Sequence, residues 1–117
     1  MQPSNIVLGR GETTIVVGER SLTLRPTLGA AIAISRAHGG LLAAAQRVSA
    51  ADVNAMASIV AAGAGVTDAG EIDAVTRDLF LGGLAGYAAP LTDYVTTLLT
   101  GDQTDADGEE EGKSGNG

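Results

Sequence analysis

No cysteine occurs among the 117 residues. That excludes a disulfide framework, a thiolate zinc site and a cysteine nucleophile, while leaving the compartment open. Histidine occurs once, at position 38, so no second imidazole is present to share a transition metal. Tryptophan is absent, and Phe80, Tyr87 and Tyr94 are the only aromatics, too few to offer base-stacking platforms. A cationic face is missing too. Of the net charge of −7, the stretch from Asp102 onward supplies −5, six acids against Lys113; the body carries −2, six arginines against eight acids. Nucleic-acid binding is not expected. Apolar runs are broken by Gly, Ser, Arg or Asp well short of the roughly 18 residues that a membrane span needs. The opening MQPSNIVLGRG has no charged n-region and no apolar h-region, so no secretory signal is expected. A soluble, cytoplasmic chain with no membrane partner follows as the expectation.

Motifs that carry chemistry are missing as well. Ser35, Ser49 and Ser58 lack the G-x-S-x-G setting of a nucleophile elbow. Gly9-Arg10-Gly11 and Gly63-Ala64-Gly65 lack the third glycine of a dinucleotide fingerprint, and Gly112-Lys113-Ser114 has no strand and helix around it to make a P-loop. The acids of the last residues lack the glycine-centred spacing of a calcium loop and are expected to be solvated. His38 falls where a helix should end, where it is expected to meet the last carbonyls. No enzyme, metal or cofactor is expected.

What is present starts at Gly11. Period-two alternation from Thr13 places Ile15, Val17, Leu22 and Leu24 on one face and Thr14, Val16 and Thr23 on the other. Gly18-Glu19-Arg20-Ser21 is the turn of this hairpin, with Gly18 supplying a positive φ. Arg25-Pro26-Thr27 makes a hinge, since Pro26 cannot donate to a ladder. Thr27 caps a helix running to about His38, stopped by Gly39-Gly40. Its buried stripe is expected at Leu28, Ala31, Ile32 and Ser35, with Ile34 beside it. A short helix, Leu41 to Val48, follows.

Ser49-Ala50-Ala51-Asp52 resembles a capping box with Asp in place of Glu. It opens a third helix with Val53, Met56, Ala57, Ile59 and Val60 on its face, ended by Gly63 and Gly65. Thr67 or Asp68 caps a fourth, Glu71 to about Leu81, burying Ile72, Val75, Leu79 and Phe80. Leu84, Tyr87, Leu91, Tyr94, Val95 and Leu98 hold helical spacing through Pro90. That predicts a fifth helix kinked at the proline, or two pieces with Pro90 opening the second; Gly101 ends it. Beyond it no apolar residue exceeds alanine, and disorder is expected. The predicted fold is α+β: a hairpin packed on four to five short Ala-rich helices. It has three parts, a flexible leader (1–10), the hairpin-plus-helices domain (11–101) and a disordered acidic tail (102–117).

Arg10-Gly11-Glu12, the hairpin, Leu24-Arg25-Pro26-Thr27-Leu28-Gly29-Ala30, the Gly39-Gly40 stop, Ser49-Ala50-Ala51-Asp52-Val53 and the final helix ending at Gly101 occur in a telling order. In that order, over about residues 5–101, the chain resembles the small phage tail-assembly chaperone family, whose members also go under the name of gene transfer agent tail tube proteins. One departure stands out: Ile34-Ser35-Arg36 replaces the acidic residue usual in the family's first helix. The resemblance implies a chaperone that binds the long helical tape-measure protein, recruits tail tube subunits, works in the host cytoplasm and is absent from the mature particle. Shallow apolar faces of small residues suit helix-in-groove contact. Leu28, Ile32, Met56, Leu84 and Tyr87 are the candidate partner contacts, and self-association is left open. Family members are often also made in a longer form by a −1 ribosomal slip, and Glu111-Gly112-Lys113 can be encoded by a slippery heptamer. The alternatives are a structural tail tube subunit retained in the virion, which two short strands make hard to build, and a small regulatory binding module.

Overall fold

A computed structural model describes residues 11–101. The expected flexible leader and disordered acidic tail lie outside the described residues. The α+β expectation holds: strands β1 (Thr13–Val17) and β2 (Arg20–Leu24) precede helices α1 (Leu28–His38), α2 (Leu41–Ser49), α3 (Val53–Ala64), α4 (Ala69–Gly82) and α5 (Leu84–Thr100).

The antiparallel register runs from Thr13 opposite Leu24 to Val17 opposite Arg20, so the loop is Gly18-Glu19 rather than a four-residue turn. Gly18 has φ 65°, the left-handed value that a glycine takes first in a two-residue hairpin loop. A Cβ there would also stand 2.6 Å from Asp78 Oδ2 of α4. Alternation buries Ile15, Val17 and Leu24 and leaves Thr14 and Val16 outside. An isolated hairpin is marginal in water; this one lays β1 on α4 and α5 and β2 on α3.

Thr27 caps α1 as expected, its hydroxyl accepting from Ala30 N–H at 3.1 Å. Gly39 closes it at φ 79°, donating to Ser35 O. The expected stripe is wrong, however. Ala30 and Ile34 are buried, whereas Leu28 and Ile32 are 76% and 42% exposed. Distant bonds at the hinge set the rotational phase of α1. Arg25 N–H donates to Gly63 O at 3.0 Å, and the Tyr94 hydroxyl donates to Arg25 O. The helix that follows turns Ala30 and Ile34 inward and leaves Gly29, Ala33 and Ala37 outside with Leu28 and Ile32.

The cap of α3 also differs. Ser49 is the last residue of α2, and Asp52 is the N-cap, accepting from Asn54 N–H and Ala55 N–H at 3.1 Å. Ala51, at φ 59°, reverses the chain between them. Gly63 does not end α3; it lies within the helix, and Gly65 is the C-cap. Asp68 caps α4, which buries Val75 and Leu79 but leaves Phe80 66% exposed, against expectation. Phe80 follows Leu79 by about 100° around the helix, enough to carry it out to solvent. α5 is one helix with Pro90 inside it, burying Leu91, Tyr94 and Val95. Proline has no N–H to give the Gly86 carbonyl, four residues earlier. Fully buried Leu, Ile and Val side chains here contribute about 1.5–3 kcal/mol each, so the interleaved alanines leave the core resting on few large residues.

Candidate partner-binding surface

The five expected contacts do not lie together on one exposed face. Met56 is fully buried in the core, because α1, α4 and α5 all close around α3, and it has no surface for a partner. Leu84 and Tyr87 pack half-buried against that core. Tyr87 donates its hydroxyl to Val16 O at 2.8 Å, an internal tie between α5 and the hairpin. Leu28 and Ile32 remain accessible, one helical turn apart on the outer side of α1.

Beside α1 lies an apolar groove of about 500 Å³. Ala33 of α1 forms one wall, Ser58, Ala61 and Ala62 of α3 the floor, and Val66 and Ile72 the far wall. The floor residues recur at i, i+3 and i+4, one face of a helix. That S-x-x-A-A spacing was visible in the sequence, but small residues carry no strong hydrophobic signal. Leu28, Gly29, Ile32, Ala33 and Arg36 are all exposed. They span an arc of roughly 140° around α1, in which Arg36 and Gly29 stand between the Leu28–Ile32 stripe and Ala33 of the groove wall.

His38 does not meet the last carbonyls of its helix. Its Nε2 lies 3.3 Å from Ser58 Oγ, bridging α1 to α3. Burial, and then the Arg47 guanidinium, lower its pKa; Asp52 partly opposes them. The neutral ring therefore suits this position.

A second, more polar cleft of about 640 Å³ lies between the hairpin loop and α4. Four of its charges pair with one another, Arg20 with Glu71 at 3.7 Å and Arg77 with Asp78 at 3.5 Å, while Glu19 lines it outside any ion pair among the described residues. Arg25 pairs with Glu12 at 3.4 Å and Arg47 with Asp52 at 3.9 Å. Among the described residues, Arg36 is the one arginine in no ion pair. No group of three or more His, Asp or Glu side chains among the described residues is placed to hold a metal ion, and no single described helix is long and apolar enough to cross a membrane. Comparison with models of known protein families, with curated proteins and with solved structures found no match in any of the three.

Proposed function

We propose that this chain is a non-enzymatic tail-assembly chaperone of a phage or gene transfer agent. In this reading it binds the tape-measure protein, helps bring tail tube subunits to it, acts in the host cytoplasm and leaves before the particle is complete. One observation carries the reading beyond the sequence resemblance. Leu28 and Ile32 stand exposed beside a groove of alanine, serine and valine, the form that an amphipathic helix needs for docking. The described residues also hold a single sheet, of two strands, too little to continue a β ring from subunit to subunit. That favours a chaperone over a tube subunit.

The test is co-expression with the tape-measure protein encoded beside it. Tape measure that is insoluble alone should become soluble and co-purify with this chain. Failure to co-purify, together with detection of this chain in finished particles by mass spectrometry, would establish the structural subunit instead.

A further inference from the structure

We infer that the occupant of the α1–α3 groove is an amphipathic helix that presents a carboxylate to Arg36, one turn beyond the apolar side chains it lays on Leu28 and Ile32. The inference rests on the chaperone reading, the occupant being a segment of the tape-measure protein. It deepens that reading by assigning the face and the charge of the partner.

The charge pattern decides the occupant. Residues 26–51, which include all of α1 and α2, contain no Asp or Glu but hold Arg36, His38 and Arg47, in a chain of net charge −7. Arg47 is paired with Asp52. That leaves Arg36, exposed at the end of the Leu28–Ile32 stripe and without a carboxylate among the described residues. Arg36 follows the groove residue Ala33 by three positions on the exposed side of α1, and a docked helix meets it with an acidic flank. Such complementarity at a rim sets orientation and association rate more than affinity.

Two other occupants fit worse. A second copy docking face to face through α1 would bring two faces together that carry Arg36 and no acid on either α1 or α2 to pair with it. The chain's own acidic stretch from Asp102 has charge to offer Arg36, but no apolar side chain larger than alanine to cover Leu28 and Ile32.

The experiment is fluorescence anisotropy of overlapping labelled peptides tiling the tape-measure protein, titrated with the full chain and its variants. The binding peptide should be an amphipathic helix with Asp or Glu on one flank. Arg36→Glu should weaken it roughly tenfold, and Ile32→Asp roughly thirtyfold, as loss of a central apolar anchor does. Arg36→Lys should retain most of the binding. Phe80→Asp, also at an exposed apolar position but on α4, should leave it unchanged. Circular dichroism melts of each variant separate loss of binding from loss of fold; Leu28, Ile32 and Arg36 are exposed, so melting should stay within a few degrees.

If neither peptides nor the intact tape measure bind the wild type, the chaperone reading fails and this inference with it. If the tape measure binds and Arg36→Glu and Ile32→Asp bind equally well, the reading stands and the inference is overturned. A wild-type dimer in sedimentation that Ile32→Asp converts to monomer would assign the face to a second copy and overturn it too.

Discussion

Replacing Gly63 with alanine should destabilise the protein, although alanine is the better helix former. A glycine inside a helix costs about 1 kcal/mol relative to alanine, so an unobstructed Gly→Ala change would raise stability by about that much. Gly63 is obstructed. A Cβ built there would stand 3.0 Å from Leu24 Cβ, 3.0 Å from Tyr94 Oη and 3.1 Å from Tyr94 Cζ. Neither neighbour can yield easily. Leu24 is held in the strand register opposite Thr13, and Tyr94 is anchored through its hydroxyl to Arg25 O. Arg25 in turn donates to Gly63 O, so the crowded atoms form a closed loop of contacts. Overpacking of this kind costs about 1–3 kcal/mol. After the propensity gain, a net loss of about 1 kcal/mol is expected, a fall in Tm of about 4–8 °C for a domain of this size. Gly86→Ala is the control, since a Cβ there meets nothing within 4 Å; its Tm should hold or rise. The double variant Gly63→Ala, Tyr94→Phe should lose less than the two single losses together, because the phenylalanine removes the oxygen that the new Cβ strikes. Thermal melts and guanidinium titrations of the wild type, Gly63→Ala, Gly86→Ala, Tyr94→Phe and the double variant would read this out. A Gly63→Ala protein as stable as Gly86→Ala would refute the packing account of α3 against β2 and α5.

Three further outcomes can be checked on the same instruments. Asp52→Ala should lose about 1 kcal/mol while Ser49→Ala stays near wild type, since only Asp52 caps α3; equal losses would restore the capping box. Burial pushes the Tyr94 phenol up to about 12 from 10.0. The unfolded chain therefore releases this proton first, and stability should fall as pH rises through that window, a slope that Tyr94→Phe removes and that absorbance titration of the phenolate should locate. His38 titrates below 6.5 because of burial and Arg47; the unfolded state takes up the proton first, so stability should fall as pH drops below 6.5, and His38→Gln should flatten that limb of a Tm-against-pH curve.

Much of the fold was legible because it is written locally. The hairpin, its inward face, the Thr27 cap, the Gly39 and Gly65 stops and the run of α5 all follow from periods, caps and turn residues separated by a few positions. The candidate surface was legible only in part. Leu28 and Ile32 were singled out as contacts while the same residues were assigned to a buried stripe, and they cannot be both. Methionine often lines adaptable surfaces, yet Met56 is fully buried on α3, the helix that the other four all touch. Arg36 carries no local signal as a site beyond the departure at Ile34-Ser35-Arg36, since nothing near it in the chain shows that every other described arginine finds a carboxylate.

The sequence by itself determined which elements form, in what order and to within a few residues where they lie, which follows from backbone and side-chain preferences within a turn or two of each residue. Tertiary structure decided which side of α1 faces inward and that Phe80 of α4 faces out. A helical period relates the residues of one helix to each other but does not say where its neighbours stand. That was settled by bonds between distant positions. Arg25 on Gly63 and Tyr94 on Arg25 phase α1 so that Ile34 points in and Leu28 out. The close approach of Leu24 and Tyr94 makes Gly63 a packing residue instead of a stop. Each helix anchors itself with only one to three fully buried large side chains, so its phase is set with its neighbours in place and not by its own period.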